Sequence, residues 1–518
     1  MSESKPPQST AQKVATNTFW YGLEVVLSTV AALLTSIPVA RIIGPEKLGY
    51  FAYVQWLTHM SGTLAMVGIP IATRKYMAEY LGRNEPGIVW AVFLRGLRAQ
   101  AYIALGLLAA GIPLVLRFVE PSYRTCSLLL LINLVPRMLG YIPSNANNAA
   151  ENLRANFPGA ALNCLLVVGL VNLSLQLGWG LTGVAASFLV GTSAELAAKM
   201  VMTLRWLHPV QGARLPATMR RRMLRFSGQS LVLMSLNIVV WDRSDLIFLK
   251  MLDKDIRQVT FFVLAFNLIE KILMLPQAFS TMMGVSVMAE HGRDQAKLYR
   301  VSSLAAKYAL LASVPATWGA AALSSPLIRL LYGPQYVPTI PVLRIGAVLA
   351  AAKPLLPPVG SLMQAQERQG FLIRWGMVCA AINVLLDMLL IPWAGARGAM
   401  LANGVAQTVA IAGVWAKAAA SFPLVIPLAA LARTLMSGAV MAGAVALIGQ
   451  APLPAAIRLA LGVPAGALIY FAMIRAFAIL DHADQRRLVQ LAGRMPARLS
   501  RWAQSGIRLL VPASVGQR

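Results

Sequence analysis

The sequence predicts an all-α polytopic membrane protein with about 14 transmembrane helices, since apolar runs of about 20 residues, each long enough to cross the hydrocarbon of a bilayer, recur along it. Its composition agrees: 58% of the 518 residues are hydrophobic, 13% are charged, and the mean hydropathy is +0.64. A soluble globular chain does not reach these values. A third observation, an internal repeat, predicts two parallel six-helix units that form two lobes, followed by two further helices.

The predicted spans follow a polar segment, 1–17, that precedes the first apolar run. That run is too long for the apolar core of a cleaved signal peptide, so we interpret it as a retained helix. The spans are predicted at 18–43, 50–73, 96–119, 123–146, 157–178, 180–204, 226–250, 258–288, 303–331, 338–363, 371–392, 396–420, 427–449 and 454–480.

The repeat is visible in three pairs of segments that occur in the same order, about 211 to 214 residues apart. The pairs are Met77–Asn84 with Met288–Asp294, Ala150–Phe157 with Ala365–Phe371, and Gly178–Gly183 with Pro392–Gly398. Units with an even number of spans must be parallel and related by an axis along the membrane normal. The predicted organisation is a cytoplasmic segment 1–17, an N-lobe 18–205, a basic linker 206–225, a C-lobe 226–420, two additional helices 427–480 and a basic tail 481–518.

The net charge of +27 indicates orientation rather than a nucleic-acid partner, because most Lys and Arg lie between apolar runs. Alternate loops hold the basic clusters around Arg74 to Arg98, Arg205 to Arg225 and Arg293 to Arg300, and the tail adds more. The positive-inside rule therefore predicts that both termini are cytoplasmic. The tail also alternates Arg with apolar residues, which is typical of a segment on the anionic inner leaflet, although a solvated tail would fit as well.

Several short segments carry a resemblance to a known family. Ala40–Ala52 (ARIIGPEKLGYFA), Gly68-Ile69-Pro70 with Arg74–Arg83, and Leu331–Tyr336 (LYGPQY) resemble the polysaccharide flippases, the Wzx-type branch of the multidrug/oligosaccharidyl-lipid/polysaccharide exporter superfamily. The resemblance extends to about residue 420. One departure is Lys250–Ala265, which lacks the Gly and Pro of the matching stretch after Arg41.

The resemblance implies two helical lobes around a central cavity and alternating access. It also implies passage of an undecaprenyl-diphosphate-linked oligosaccharide across the bacterial inner membrane, with membrane lipids and polysaccharide polymerase machinery as further partners. The chemistry of such a passage requires cations inside the membrane, because a diphosphate does not enter hydrocarbon.

Five cations fall within the predicted spans and are the candidates for a substrate-binding cavity: Arg41, Arg137, Arg243, Lys271 and Lys353. Arg can grip phosphate oxygens in a bidentate manner, whereas Lys is a point charge. Arg41 lies close to a helix end, where snorkelling to the interface is an alternative. Lys353 precedes Pro354, where either a broken helix or a simple kink is expected.

Amide side chains are candidates for sugar contacts, since they both donate and accept hydrogen bonds. We assign this role to Asn145, Asn148, Asn237 and Asn267, and note that Asn147 and Asn152 belong to the same polar group at the end of the fourth span. Helix capping explains that group equally well.

Three acidic residues are candidates for coupling to a proton or sodium gradient: Asp242, Asp245 and Glu270. Asp242 and Asp245 lie three residues apart on one predicted helix, so their carboxylates can approach each other. The alternative is a static pair between Asp245 and Arg243 or Lys271. Exchange of a coupling ion for the diphosphate would link the acids to the cations.

Alternative functions include a lipid II flippase and a cation-coupled multidrug exporter of the same fold, the latter expected to have an anionic cavity. A membrane-embedded glycosyl or acyl transferase would need catalytic carboxylates or His in a sizeable loop, and the loops here are short. The sequence has neither a Walker A loop nor a His-Glu-x-x-His motif. It therefore indicates a transporter without a cofactor or metal centre rather than an enzyme.

Overall fold

The structure is a computed structural model, and it describes residues 10–210, 215–216, 219–228, 231, 243–253, 255–290, 295–424, 427–493, 500 and 504. Within these residues the regular structure is entirely helical. The chain divides into two compact units, Met1–Ile238 and Val239–Arg518.

The first unit contains eight labelled α-helices in its described part. They are α1 (Thr10–Ile43), α2 (Pro45–Ala65), α3 (Ile69–Gly82), α4 (Pro86–Phe118), α5 (Pro121–Ile132), α6 (Leu134–Ala149), α7 (Phe157–Gln176) and α8 (Gly180–Leu204). The helix α7 packs against α1 and α8, and α6 packs against α3, α4 and α8. Residues 219–228 are also helical.

The predicted span 50–73 is interrupted, because α2 ends at Ala65 and α3 begins at Ile69. Between them Val67 and Gly68 have positive φ angles of 48° and 67°, a conformation that suits Gly and ends a helix. The break frees backbone carbonyls inside the unit. The buried amide of Gln100 on α4 donates to the Met66 carbonyl oxygen at 3.1 Å, so that group is satisfied by a neighbouring helix.

The second unit contains eleven labelled α-helices in its described part. They are α9 (Asp245–Leu252), α10 (Arg257–Glu290), α11 (Gln295–Ala322), α12 (Ser324–Leu331), α13 (Thr339–Ala350), α14 (Leu356–Ala365), α15 (Gln369–Ala394), α16 (Ala396–Ser421), α17 (Leu428–Gln450), α18 (Ala455–Ala476) and α19 (His482–Ala492). The helix α15 packs against α16, and α10 packs against α11, α13 and α14.

The turn between α9 and α10 replaces the Gly and Pro of the first unit with carboxylates. In the first unit Gly44, with a φ of 84°, precedes Pro45 at the start of α2. In the second unit the backbone N–H of Asp255 donates to Asp253 Oδ1 at 2.9 Å, and that of Arg257 donates to Asp255 Oδ1 at 3.0 Å. Side-chain turns of this kind compete well with helix and end it. The segment Lys250–Ala265, which lacks the Gly and Pro of the first unit, therefore ends its helix through hydrogen bonds from backbone N–H groups to side-chain carboxylates instead.

The two C-terminal spans pack on the second unit. Helix α17 lies against α11, and α18 lies against α11, α12 and α17. The Tyr470 hydroxyl on α18 donates to the Leu311 carbonyl oxygen at 3.0 Å. The short tail helix α19 is attached to α11 through Asp484, which pairs with Lys307 and accepts a hydrogen bond from the Tyr308 hydroxyl at 2.6 Å.

The described part of the chain has 11 helices that are long and apolar enough to cross a membrane. These coincide with eleven of the predicted spans. The span 50–73 is two helices, 303–331 is divided between α11 and α12, and 226–250 lies largely outside the described residues. Large apolar side chains such as Leu165, Leu389 and Leu447 are exposed, as lipid contact requires. The protein is therefore a multi-pass membrane protein of the predicted all-α class.

Candidate functional site

Arg243 and Lys353 both lie over one aromatic ring in the second unit. The guanidinium carbon of Arg243 is 5.1 Å from the centre of the buried Phe266 ring, and Lys353 Nζ is 4.8 Å from it. Arg243 Nη2 also donates to Asn267 Oδ1 at 2.7 Å. A ring face attracts cations electrostatically, most strongly where water is excluded. Two adjacent residues of α10 thus position Arg243: Phe266 through a cation–π contact and Asn267 through a hydrogen bond.

Lys353 is almost fully buried, and its ammonium donates to Glu270 Oε1 at 2.7 Å. Glu270 keeps about half of its side chain exposed (48%). The next residue on α10, Lys271, is half-buried and close enough to Arg243 and Glu270 for their charges to interact. We call Arg243, Lys271 and Lys353 the cationic cluster. Within the described residues it carries three positive charges, and the carboxylate of Glu270 is paired with one of them.

The chain breaks its helix at Lys353. Helix α13 ends at Ala350, a 3₁₀ turn covers Lys353–Leu355, and α14 begins at Leu356. Side chains of neighbouring helices donate hydrogen bonds to the carbonyls that the break leaves free. The Ser280 hydroxyl donates to the Pro354 carbonyl oxygen, and Trp415 Nε1 donates to the Leu355 carbonyl oxygen at 3.0 Å. A broken helix, rather than a simple kink, therefore presents Lys353 to Glu270.

Asp245, the first residue of α9 in the second unit, is completely buried. Its Oδ2 accepts a hydrogen bond from Asn403 Nδ2 on α16 at 3.0 Å, and its Oδ1 one from Asn383 Nδ2 on α15 at 3.4 Å. Asp387, one turn after Asn383, is completely buried as well and lies within hydrogen-bond reach of Asp245. We call Asp245 and Asp387 the buried carboxyl pair.

Two oxygens of this group have no hydrogen-bond partner among the residues that the structure describes: Asp387 Oδ1 and Asn383 Oδ1. Asn403 Oδ1, by contrast, accepts a hydrogen bond from Gln407 Nε2 at 2.9 Å. Buried polar atoms normally have partners, so these two oxygens beside the buried carboxyl pair are exceptions that need a physical reason.

Sequence reasoning missed Asp387, Asn383 and Asn403. A signal was present, since Asn383 and Asp387 are four residues apart in the apolar helix α15, and Asn403 and Gln407 have the same spacing in α16. Residues at this spacing share one helix face. Polar pairs on one face of a membrane helix indicate a partner across the interface.

A polar cavity of about 530 Å³ lies within the first unit. Its polar lining residues are Glu24, Ser28, Gln55, Thr58, Asn133, Arg137, Tyr141, Ser144, Asn163, Thr192, Glu195 and Lys199. Arg137 on α6 is half-buried. No described carboxylate lies within salt-bridge distance of it. We call this space the N-unit cavity, and Arg137 is its candidate anion-binding group.

Two other charged groups of the N-unit cavity, Glu195 and Lys199, are paired with each other. Lys199 Nζ lies 2.6 Å from Glu195 Oε1, one turn away on α8, and Asn163 Nδ2 on α7 donates to Glu195 Oε2 at 2.7 Å. The Thr192 hydroxyl donates to Asn133 Oδ1. These bonds join α8 to α7 and to Asn133, the residue between α5 and α6.

The asparagine group at the end of α6 forms a hydrogen-bond network. Asn147 Nδ2 donates to Asn156 Oδ1 at 2.8 Å, and Asn147 Oδ1 accepts from Trp206 Nε1 at 2.9 Å and from the Thr203 hydroxyl at 3.1 Å. Asn148 Oδ1 accepts from Asn156 Nδ2 at 3.0 Å. Asn145 Nδ2 donates to the carbonyl of Tyr141 within its own helix at 2.8 Å. Asn147 is thus the centre of a structural junction between α6 and α8.

The structure brings some sequence-predicted residues together and separates others. Arg243, Lys271, Lys353, Asn267 and Glu270 form one cluster, while Asp245 belongs to the buried carboxyl pair. Arg137, Asn145 and Asn148 lie in the first unit, and Arg41 is exposed in the last turn of α1. Asp242 and Asn237 lie outside the described residues.

A family model described as "Polysaccharide biosynthesis protein" matches residues 14–289, more than half of the chain. The chain belongs to this family. None of the curated proteins matches this family member in sequence.

Solved structures of the superfamily share its fold. "Lipid II flippase MurJ, inward closed conformation" is 14% identical with a TM-score of 0.70, and the match covers 88% of this chain and 98% of that one. An inward-facing multidrug resistance MATE transporter is 16% identical with a TM-score of 0.62, covering 76% and 94%. The Vibrio cholerae MATE transporter VcmN is 16% identical with a TM-score of 0.57, covering 79% and 98%.

The likeness confirms the predicted all-α polytopic class. Together with the family match, it confirms the assignment to the multidrug/oligosaccharidyl-lipid/polysaccharide exporter superfamily. The solved members named above are a flippase and drug transporters rather than enzymes.

Proposed function

We propose that this member of the superfamily moves an undecaprenyl-diphosphate-linked oligosaccharide from the cytoplasmic to the outer leaflet of the bacterial inner membrane, for cell-surface polysaccharide synthesis. The observation that carries the proposal is the cationic cluster. Its three positive charges lie among membrane spans, with the Glu270 carboxylate beside them in the described part of the chain. Such groups are costly in a membrane unless they serve a ligand or a water-filled path. The family description supports a role in polysaccharide synthesis.

The cluster suits a diphosphate chemically. Arg243 offers a planar fork that matches two phosphate oxygens, and Lys271 and Lys353 add point charges. Glu270 occupies Lys353 in the present structure, so an arriving phosphate would exchange with a half-exposed carboxylate rather than meet a bare charge. An exporter of cationic drugs would need the opposite polarity. A lipid II flippase is the second candidate, since lipid II also carries a diphosphate and the structure of MurJ is similar.

Export in cells tests the role of the cluster. In a strain that lacks its own flippase, Arg243→Ala and Lys271→Ala should lower surface polysaccharide about tenfold or more, since each removes a charged contact. Membrane abundance should stay near the wild-type level, and Arg243→Lys should restore only part of the export. Arg374→Ala, which removes an exposed arginine bonded to the Gly370 carbonyl, is the matched control. Full complementation by both alanine variants would refute the role of the cluster.

The ion that drives this transport is proposed to bind at the buried carboxyl pair. Two adjacent buried carboxyls are stable together only when a proton or a cation offsets their mutual repulsion. Asp245 and Asp387 lie on α9 and α15, so occupancy would change the packing of the helices that carry them. Arg243 stands two residues before Asp245, which connects the ion to the cationic cluster along the chain. Glu270 and Asp242 are proposed to belong to the same coupling, as acids that hold the ion while the diphosphate is absent and release it when the substrate occupies the cations.

Gradient dependence in proteoliposomes tests the coupling. Asp245→Asn and Asp387→Asn should abolish the response of transport to an imposed pH or sodium gradient while substrate binding survives. Glu367→Gln, at an exposed turn, should keep the wild-type response. Full gradient dependence in both Asn variants, or none in the wild type, would remove the coupling role and leave the cationic cluster as a separate proposal.

The N-unit cavity is proposed to take part in substrate binding during alternating access between the two units. Arg137 would contact phosphate, and Asn145 and Asn148 would contact sugar hydroxyls from their junction at the end of α6. Arg41, at the end of α1, would contact the substrate at entry or exit.

Both termini are proposed to be cytoplasmic, so reporter fusions at Gly180 and Gly333 should report the periplasm and one at Gly292 the cytoplasm. The opposite pattern would refute the orientation.

A further inference from the structure

A second cavity, separate from the cationic cluster, lies in the second unit between the C-terminal helix pair and the helices that it covers. It has a volume of about 670 Å³ and is lined by α11, α12, α13, α17 and α18. Its larger lining side chains are Trp318, Arg344, Val348, Gln450 and Arg458, and the rest of the lining is mostly Ala and Gly. We call it the two-arginine pocket.

Both arginines are held at the pocket by neutral groups. Arg344 Nε donates to the Ser324 hydroxyl oxygen at 2.9 Å, and Arg458 Nη1 donates to the Gly449 carbonyl oxygen at 2.8 Å. Trp318 Nε1 donates to the carbonyl of Val348 at 3.2 Å, which fixes the indole as one wall. Within the described residues, Arg458 Nε is buried without a hydrogen-bond partner.

The helices around the pocket offer these arginines no counter-ion. The sequence has no Asp or Glu in residues 295–366 or in residues 388–480, which contain every lining residue. Two guanidinium groups with no carboxylate on any lining helix leave a local charge of +2. A buried donor and an unbalanced charge are both costly, and an anion that binds there would relieve both.

The position of the pocket indicates what kind of anion it receives. Arg458 lies in the first turn of α18, and Gly449 and Gln450 close α17, so the pocket is at the ends of membrane spans, where lipid headgroups lie. Large apolar side chains on the same helix ends are exposed: Leu447, Leu453, Ile457 and Leu461. A ligand here meets cations at one end and an apolar surface at the other, which is the distribution of a phosphate-bearing lipid.

We propose that the two-arginine pocket binds the phosphate headgroup of a membrane lipid, whose acyl or prenyl chains lie along the exposed faces of α17 and α18. The phosphate oxygens accept hydrogen bonds from Arg344 and Arg458. Bound lipid fills the contact between the C-terminal helix pair and the rest of the second unit. The proposal does not depend on the transport activity proposed above.

Native mass spectrometry of the full-length protein in detergent tests the proposal. The probes are phosphatidylglycerol, undecaprenyl phosphate, diacylglycerol and inorganic phosphate. The two phosphate-bearing lipids should form a one-to-one complex at lower concentration than diacylglycerol. Arg344→Gln and Arg458→Gln should each weaken that complex about tenfold, since each removes one charge-assisted contact. Arg397→Gln, which removes an exposed arginine from the first turn of α16, should leave binding unchanged.

Each outcome has a defined meaning. Preference for phosphatidylglycerol assigns the pocket to bulk phospholipid, and preference for undecaprenyl phosphate assigns it to the carrier lipid. Equal binding of diacylglycerol, an unchanged complex in the Arg344→Gln, Arg458→Gln double variant, or an equal loss in Arg397→Gln would overturn the proposal. Displacement of lipid by equimolar inorganic phosphate would show a free-anion site and would overturn it as well. A thermal melting curve of each variant without added lipid identifies any that fail to fold. Arg344→Lys and Arg458→Lys then replace the Gln variants and should also weaken the complex, because Lys cannot form the bidentate contact with phosphate; lipid binding at the wild-type level in both would overturn the proposal.

Discussion

In the first unit, polar side chains from α1, α2, α6, α7 and α8 line an open cavity of about 530 Å³, whereas in the second unit Asp245 and Asp387 are completely buried among amides. Water or a ligand can replace the partners of a group that lines a cavity. A buried group must find all of its partners in the surrounding helices, so a change in its charge must change the packing. The open cavity of the first unit therefore suits ligand binding, and the buried carboxyl pair of the second unit suits a conformational change that follows a change in charge.

The largest expected difference concerns stability. Asp245→Ala should lower the free energy of unfolding by about 4 kcal/mol, because it leaves one buried N–H of Asn383 and one of Asn403 without an acceptor, at about 1–3 kcal/mol each. Asn383 keeps its second hydrogen bond, to Asp387 Oδ2. Arg137→Ala should change it by less than about 1 kcal/mol, because water in the N-unit cavity replaces the lost groups. Titration with denaturing detergent in mixed micelles measures both. Equal losses would show that the two polar regions are packed alike.

A smaller difference is expected between two ion pairs. The pair of Lys307 with Asp484 on the tail helix is nearly inaccessible, at 10% and 1% side-chain exposure, whereas Glu195 in the pair with Lys199 retains 23%. Asp484→Ala should cost about 3 kcal/mol, because it leaves a buried ammonium uncompensated. Glu195→Gln should cost about 1 kcal/mol or less, although Lys199 is as buried as Lys307, because both members of this pair line the N-unit cavity, where water can solvate the ammonium. Equal losses of unfolding free energy in Asp484→Ala and Glu195→Gln would contradict the expected difference between the two ion pairs.

The pair on the tail helix also predicts a pH dependence. Burial raises the pKa of Asp484, but the hydrogen bonds from Lys307 and Tyr308 and the charge of Lys307 outweigh it, so the pKa lies below its usual value. Arg487 Nη1, 3.6 Å from Asp484 Oδ1, adds to the positive surroundings. A lowered folded-state pKa contributes stability above the unfolded pKa of about 3.9 and loses it as the pH falls through the folded value. Protease protection of the tail should therefore be constant near neutrality and fall below about pH 4. In Asp484→Asn it should be low at every pH, and a wild-type profile in that variant would contradict the assignment.

The smallest expected effect is a difference in chemical accessibility. In a background without Cys126, Cys164 and Cys379, Thr58→Cys in the N-unit cavity should react faster with a small hydrophilic thiol reagent than Asn383→Cys beside the carboxyl pair. The reason is that the thiolate forms only where water reaches it. Equal rates, measured by mass shift over time, would show that water enters the second unit as readily as the first.

The cationic cluster was predictable from the sequence because Arg243, Lys271 and Lys353 interrupt apolar runs, where a charge needs a reason. The same reasoning applies to Asp387, but its partner Asp245 is more than a hundred residues away, and linear sequence does not show which helices meet. The pairing of Glu270 with Lys353 depends on the helix break at the 3₁₀ turn, which Pro354 suggested without fixing its geometry.

The fold was predictable in its class and in most of its spans, because apolar length alone identifies a membrane helix. The division of the second span was not predicted, since the positive φ angles of Val67 and Gly68 interrupt it without any loss of apolar character. The junction centred on Asn147 was also ambiguous, because capping and sugar binding need the same amide chemistry.

Transport of a defined substrate by the purified protein tests the central proposal most directly. The assay measures movement of a fluorescent undecaprenyl-diphosphate-linked oligosaccharide across proteoliposomes, with Arg374→Ala as the control for reconstitution. Wild-type protein and the control should accelerate movement, and the Arg243→Ala, Lys271→Ala double variant should reduce it to the rate of protein-free liposomes. A wild-type rate equal to that of empty liposomes, or a double variant as fast as the wild type, would contradict transport through the cationic cluster.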